Sequence, residues 1–149
     1  AGWDWRCRTG ARRPRYLEQR DGQWVQRRWG EWRPVQPRDP AVHLNAHEAE
    51  AWCRWAGRRL PTEAEWTAAA HQRGWQGMTV WEWTASRFEP FPGFEPHPYR
   101  DYSAPWFDGR PVLKGASPAT ARRMQQLAYR NFYTAERNDI LAGFRTAAR

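Results

Sequence analysis

The chain has 149 residues, of which 24 are basic and 16 acidic, so its formal charge at pH 7 is +8. This length predicts a single domain, residues 1–149, that can bury a core without disulfides. The 2 cysteines cannot build a disulfide framework. No apolar segment approaches the roughly 20 residues of a transmembrane helix, and no signal-peptide core is present. These features favour a cytoplasmic protein with no membrane partner.

The positive charge is compatible with an anionic partner such as nucleic acid. However, arginine accounts for all the basic residues except Lys114, and the basic pairs are scattered along the chain. A nucleic-acid-binding protein should concentrate its charge on one face or element. The pattern therefore disfavours nucleic acid, and a GC-rich codon usage explains the excess of arginine.

Residues 1–40 are rich in Trp, Arg, Pro and Gly, and we expect them to form an irregular N-terminal part. Within it, "QWVQRRW" (residues 23–29) follows the turn pair Asp21-Gly22 and is typical of a strand. Prolines at positions 34, 37 and 40 predict no regular structure from there to Val42. The core is therefore expected in residues 41–149.

Two helices are predicted next. Asn45 is a favourable N-cap with Glu48 at the third helical position, and Gly57 is typical of the residue that follows a helix. Thr62 and Glu65 form a second capping box, which begins the next helix. The stretch "AGRRLPTEAEW" is thus explained as a helix end, a sharp turn and a helix start. The buried face of the first helix is predicted from the spacing of Ala49, Trp52, Cys53 and Ala56.

Beyond residue 72 the sequence predicts short strands separated by long aromatic loops. "TVWEWTAS" (79–86) alternates as a strand does, and "PVLKGAS" (111–117) and "AGFRTA" (142–147) are further strand candidates. "SPATARRMQQLA" (117–128) is compatible with a helical turn. The apolar content is too high for disorder, so these features predict an α+β fold with little regular secondary structure.

Five segments, taken in this order, resemble the formylglycine-generating-enzyme-like (sulfatase-modifying-factor) family, over about residues 40–147. This family has a C-type-lectin-like core. Its own activity, formylglycine generation, needs a cysteine pair near the C-terminal end, and no Cys follows Cys53 here. The segments are "WCRWAGRRLPTEAEW", "VWEWTAS", "VLKGAS", "RNFY" and "AGFRTA".

Two longer segments narrow the resemblance. "WEWTASRFEPFPGFEPHPYRDYSAPWFDGRPVLKGAS" and "YRNFYTAERNDILAGFR" are similar to the C-terminal domain of the ergothioneine-biosynthesis sulfoxide synthases, and to the related selenoneine synthases. These oxidoreductases use non-haem Fe(II) and O₂ to join sulfur or selenium to the imidazole of hercynine (Nα-trimethylhistidine). The resemblance implies that an N-terminal DinB-like domain, expected to be absent from this chain, holds the iron through three histidines. The chain alone is therefore expected to be inactive.

The resemblance also implies site residues. Tyr102, in "YRDYSAPWF", matches a tyrosine that gives a proton or hydrogen atom to bound oxygen, the alternative being a Tyr that only packs. Asn131 matches a residue that contacts hercynine, the alternative being an Asn that stabilises a turn. Arg137 matches an Arg that meets the carboxylate of the thiol substrate, the alternative being a solvated loop Arg.

Phe132 and Tyr133 stand where one branch of the resembled enzymes has Trp-Asp, whose Asp binds the amino group of γ-glutamylcysteine. Tyr133 has no charge to offer, so an aromatic pair here resembles the branch that uses free cysteine or the users of a selenosugar. Trp81 and Trp83 are candidates for an aromatic box around the trimethylammonium of hercynine, together with Trp106 and Phe107. Aromatic residues at such positions are more often core.

The four histidines show no ligand spacing with a carboxylate or a third histidine, so no metal site is expected within the chain. One alternative from another functional class is a non-catalytic ligand-binding scaffold of the same fold, such as a variable protein of a diversity-generating retroelement. An upstream gene for a His-rich helical bundle would favour the synthase, and a reverse transcriptase gene would favour the scaffold.

Overall fold

The computed structural model describes residues 2–99, 101 and 103–149. Short elements separated by long loops dominate it, as the sequence predicts for an α+β fold. No helix in this described part is long and apolar enough to cross a membrane. The elements are α1 (Gly2–Thr9), β1 (Leu17–Arg20), β2 (Gln23–Arg28), β3 (Glu31–Pro34), α2 (Ala46–Trp55), α3 (Glu63–Ala70), β4 (Trp81–Arg87), β5 (Pro111–Gly115), β6 (Asn131–Phe132) and β7 (Ala142–Phe144), with single 3₁₀ turns at Ala104–Trp106 and Arg122–Met124.

The N-terminal part is regular, so the expectation of an irregular segment over residues 1–40 is wrong. The strands β1, β2 and β3 pair in sequence as an antiparallel sheet, and only the predicted strand at residues 23–29 is confirmed. Pro34 does not prevent β3, because it ends an edge strand, where a missing N–H is tolerated. Val25 is the one buried residue of these three strands.

Both predicted capping boxes are confirmed. At the start of α2 the Glu48 N–H donates to Asn45 Oδ1 over 2.8 Å, and the Asn45 N–H donates to Glu48 Oε2 over 2.9 Å. The equivalent reciprocal pair at α3 joins Thr62 and Glu65. Satisfying the free N–H groups of a first helical turn fixes where each helix begins.

The buried face of α2 is narrower than the predicted one, and Ala56 is only half-buried. Ala49 and Cys53 are buried, but Trp52 is 45% exposed. The Trp52 ring lies at the flank of the buried face, where it contacts the rings of Trp55 and Phe144 at centroid distances of 6.0 and 5.6 Å. The spacing of three and four is therefore right, although it did not show how wide the covered stripe is.

The C-terminal sheet has the strand order β6-β5-β4-β7, in which β4 and β7 are parallel and the other neighbours antiparallel. The predicted strands 79–86, 111–117 and 142–147 are thus confirmed as β4, β5 and β7. All of β5 and the first four residues of β4 are buried. One face of this sheet carries the apolar core, which includes Trp83 and Leu113.

The opposite face of the C-terminal sheet buries a charge. Glu82 is only 4% exposed and accepts hydrogen bonds from the guanidinium of Arg145 and, over 2.7 Å, from Nε1 of Trp66. A buried carboxylate needs such partners because water cannot reach it. This network joins α3, β4 and the segment after β7.

Candidate functional site

A cavity of about 330 Å³ lies at one end of the C-terminal sheet, and we call it the Trp81 cavity. Larger cavities of about 830 and 490 Å³ occur elsewhere, and neither contains a residue predicted for the site. The Trp81 cavity contains two of the predicted residues, and for that reason it is the candidate site. Its lining consists of Trp29, Trp81, Ser117, Ala119, Thr120, Tyr133, Asp139, Ile140 and Leu141.

Sheet geometry brings the two predicted aromatic residues together. Trp81 begins β4, where it stands opposite Gly115 of β5 and Ala142 of β7. Tyr133 follows β6 and packs against the same core face of the sheet. Trp81 is 8% exposed, and its ring lies 5.9 Å from that of Tyr129. The cavity therefore has an aromatic floor held by four paired strands.

The loop after β5 supplies the polar edge of the cavity. The Ser117 N–H donates to Thr120 Oγ1 over 3.0 Å, and the Thr120 N–H donates to the Ser117 carbonyl over 2.9 Å. Gln125 Nε2 donates to the Thr120 carbonyl over 2.8 Å. These bonds fix the loop as a tight turn, so the two hydroxyl residues hold a defined position beside the aromatic floor.

A carboxylate paired with an arginine stands at the rim of the cavity. Asp139 accepts hydrogen bonds from Arg137, with Nε to Oδ1 at 2.6 Å and a second nitrogen to Oδ2 at 3.2 Å. This guanidinium is the main cause that lowers the pKa of Asp139 below its usual range. Arg137 also lies over the Tyr133 ring, at 4.9 Å from its centroid. Asp139 is therefore ionised at neutral pH and faces a site with aromatic walls.

The other predicted residues of "RNFY" do not line the Trp81 cavity. Successive strand residues point to opposite faces, so Phe132 lies on the other side of the sheet, stacked on Phe88 at 4.0 Å between ring centroids. The Phe132 ring also lies 6.2 Å from that of Trp106. Asn131 accepts the Phe132 N–H through Oδ1 over 2.9 Å, a local contact of the kind that its structural alternative predicts.

Trp83 is a core residue and not the ligand contact that was expected from the sequence. Its side chain is 0% exposed, and its Nε1 donates to the Leu44 carbonyl over 2.7 Å. A ring with no free surface and a satisfied N–H cannot take part in an aromatic box around a ligand. Tyr102 lies outside the described residues, so its predicted catalytic role stays a prediction.

The histidines occupy separate environments. His43 lies edge-on to Tyr16 at 4.7 Å between ring centroids, and burial lowers its pKa below the ordinary value of 6.5. His47 stacks with Trp5 at 5.6 Å. Among the residues that the structure describes, no group of three or more His, Cys, Asp or Glu could hold a metal ion.

Asp139 and Trp29 line the cavity but were not predicted from the sequence. Asp139 belongs to "RNDI", a stretch with no periodicity, and no local pattern points to it. Trp29 and Gly30 stand between two strands, and a two-residue segment with a glycine in that position is typical of a hairpin turn. That signal could have placed Trp29 at a hairpin tip, but not beside a cavity built from residues 81–141.

Comparison with known proteins agrees with this architecture. The profile of the family described as "Sulfatase-modifying factor enzyme 1-like domain" matches residues 5–79, half of the chain. The chain therefore belongs to that family, with its C-type-lectin-like fold, and the resemblance seen in the sequence motifs is confirmed.

Several individual relatives are also similar. The hercynine oxygenase of Mycolicibacterium thermoresistibile is 32% identical over an alignment of 197 positions, which covers 99% of this chain and 44% of the relative. That of Mycobacterium tuberculosis is 31% identical over 192, covering 98% and 45%. The formylglycine-generating enzyme of Streptomyces coelicolor is 43% identical over 56 residues, 32% of this chain and 18% of the relative. This chain thus spans less than half of the two hercynine oxygenases.

Proposed function

We propose that this chain is the substrate-binding and catalytic domain of an oxidoreductase that uses Fe(II) and O₂ to form a C–S or C–Se bond on the imidazole of hercynine, in ergothioneine or selenoneine biosynthesis. Two relatives that match nearly the whole chain are named hercynine oxygenases, which supports hercynine as the substrate. The cytoplasmic location expected from the sequence is part of this proposal.

The observation that carries the proposal is the chemistry of the Trp81 cavity. Trp81 and Tyr133 form its floor, and the ionised Asp139 stands at its rim. Aromatic faces and a carboxylate attract a quaternary ammonium group, which cannot itself donate a conventional hydrogen bond. The trimethylammonium of hercynine is such a group, and its imidazole and carboxylate leave polar atoms for the Ser117 and Thr120 hydroxyls.

The sulfur or selenium donor would approach from the side of Tyr133 and Arg137. Free cysteine or a selenosugar suits an uncharged Tyr133 better than γ-glutamylcysteine does, because the amino group of γ-glutamylcysteine would seek a carboxylate at that position. Arg137 is already paired with Asp139, so contact with a substrate carboxylate would require the guanidinium to share its donors. Tyr102 as proton donor and Asn131 as a hercynine contact remain part of the proposal.

Iron belongs to another domain in this proposal, as the family resemblance implies. The expected partner is the DinB-like domain, with three histidine ligands. The role of this chain is then to bind and orient hercynine and the sulfur or selenium donor. On this view the chain binds hercynine by itself but does not turn it over.

Calorimetric titration with hercynine tests the proposal. We expect saturable binding, weaker binding of unmethylated histidine, and a loss of roughly threefold to tenfold in affinity for Asp139→Asn, since the ammonium loses a partly exposed counter-charge. Asp108→Asn is the matched control, because Asp108 forms a similar local ion pair with Arg110 away from the cavity. Absence of saturable binding, or equal losses in the two variants, would contradict the proposal.

A further inference from the structure

Trp29 occupies a backbone conformation that its side chain disfavours. The register of β2 and β3 pairs Arg28 with Glu31, which leaves Trp29 and Gly30 as a two-residue turn. Their φ angles are +52° and +88°, the positive values that a type I′ turn requires. Asn, Asp or Gly normally fills the first of these positions, because a bulky residue at positive φ crowds its own backbone.

The neighbouring hairpin, between β1 and β2, has the same turn without a bulky residue at positive φ. The turn between β1 and β2 has the same length and φ angles of +48° and +78°, and it is built from Asp21 and Gly22. The two turns belong to one sheet and have the same geometry, so Trp29 stands where a residue suited to the turn would be more stable. Strain of this kind is found mainly at functional sites.

Packing does not compensate for the strain at Trp29, because the residue is 69% exposed. It does, however, line the Trp81 cavity, and it also lines a neighbouring cavity of about 360 Å³. Asp139 and Leu141 line both cavities as well, so Trp29 and this segment form the wall between them. The hairpin thus brings a large, exposed indole to the rim of the candidate site, next to its carboxylate.

We propose that Trp29 is a specificity-determining residue, whose indole contacts the quaternary ammonium of the ligand in the Trp81 cavity. The identity of the ligand rests on the proposed function, whereas the contact rests on the placement and strain of Trp29. Trp gives the strongest cation–π attraction of the aromatic side chains. A ring that is exposed in the free chain becomes covered when the ligand binds, and selection for that contact would retain Trp despite the strain.

The substitution Trp29→Asn separates a binding role from a structural one. Asn suits positive φ at this turn position, so the melting temperature should stay unchanged or rise. Binding of hercynine, measured by calorimetry, should weaken by about tenfold, the scale of one well-placed cation–π contact. Trp29→Phe keeps an aromatic face and should lose less affinity. Trp24→Thr removes an exposed indole of β2 that does not line the cavity, and this variant should bind as the parent does.

A second probe, tetramethylammonium titrated by NMR, makes the outcome independent of hercynine. If the parent chain binds hercynine and Trp29→Asn binds it equally well, the role of Trp29 is overturned while the proposed function stands. If the parent binds only tetramethylammonium and Trp29→Asn weakens this, Trp29 is supported and hercynine is the wrong ligand. Binding of neither probe overturns both proposals. A marked fall in melting temperature for Trp29→Asn would show that the indole is structural and would also overturn the inference.

Discussion

The three-stranded sheet β1–β3 and the four-stranded sheet β4–β7 differ in what their residues face. All of β5 and the first four residues of β4 are buried, whereas Val25 alone is buried in β1–β3. The C-terminal sheet therefore supplies more buried apolar area than the N-terminal sheet does, and such burial is the main favourable contribution to folding. The N-terminal sheet contributes little to the core, but it carries Trp29 to the cavity.

The two sheets also use charge differently. In the C-terminal sheet the carboxylate of Glu82 is buried and fully partnered by Arg145 and Trp66. In the N-terminal sheet the acidic residues pair with an arginine two positions along the same strand, as Glu31 does with Arg33, and both side chains remain more than 60% exposed. Substitution of a charged residue is thus expected to lower stability more in the C-terminal sheet than in the N-terminal sheet.

The largest difference should come from shortening a core side chain in each sheet. Leu113→Ala in β5 should lower the free energy of unfolding by about 4 kcal/mol, because Leu113 is fully buried among other core residues. Val25→Ala in β2 should cost about 1 kcal/mol, since it removes less apolar surface from a mostly solvated sheet. Urea unfolding measures both, and similar losses would show that the N-terminal sheet carries more stability than its burial indicates.

Removing a carboxylate should show the same contrast at a smaller scale. Glu82→Ala should lower the free energy of unfolding by about 3 kcal/mol, because it removes the carboxylate that Arg145 and the Trp66 N–H share. This loss is at the lower end of the range for buried ion pairs, since the Arg145 side chain is still 29% exposed. Glu31→Ala should cost less than about 1 kcal/mol. Denaturant titration at low and at 1 M salt completes the test, since screening should reduce only the smaller effect.

Local patterns were sufficient for the elements whose signal lies in adjacent residues. The capping residues at 45 and 62 and the alternation in 79–86 predicted α2, α3 and β4, because caps and strand faces are set within a few positions. Pro34 predicted the wrong structure for the N-terminal part, since sequence alone does not show which strand lies at a sheet edge. The β2 pattern was visible, but its partners were not.

The site was predictable only in part, for a physical reason. Tyr133 and Trp81 reach the cavity through strand pairing. The family resemblance pointed to Tyr133, and Trp81 was a candidate because an aromatic ring can contact a quaternary ammonium group. Trp83 lies two residues from Trp81 and has the same side chain on the same face of the strand. Only the tertiary packing around Trp83 shows that it is a core residue. Asp139 and Trp29 come from segments far apart in sequence, and no local rule reports a contact formed by tertiary structure.

Glycine substitutions compare the two sheets at the level of the backbone. Gly22→Ala, at φ +78° with nothing within 4 Å of the added carbon, should cost about 1 kcal/mol through conformation alone. Gly115→Ala, at φ +100°, would place its carbon 2.9 Å from the Val80 carbonyl oxygen, so a steric cost adds to the conformational one and the total should be about 2 kcal/mol. Thermal unfolding shows which of the two variants is less stable. A larger loss of stability for Gly22→Ala than for Gly115→Ala would contradict the tight packing around β5.

The smallest effect should be a pH dependence at the boundary between the N-terminal sheet and the core. His43 is 8% exposed and edge-on to Tyr16, and burial is the main cause that lowers its pKa below 6.5. The backbone of Ile140 and of Asn138 opposes this shift, Arg28 adds to it, and Asp139 opposes it.

His43 binds a proton less readily in the folded protein than in the unfolded chain. The contribution of His43 to stability is therefore complete above pH 6.5 and is lost as the pH falls through the lowered pKa of the folded state. His43→Asn keeps a residue that tolerates φ +61° and removes the titration, so the fall in stability between pH 7.5 and 5 should become shallower. His71→Asn, which replaces an exposed histidine after α3, is the control. Unfolding curves with the same pH slope for the parent and for His43→Asn would mean that the His43 side chain is solvated, and that the N-terminal sheet does not cover the core at this point.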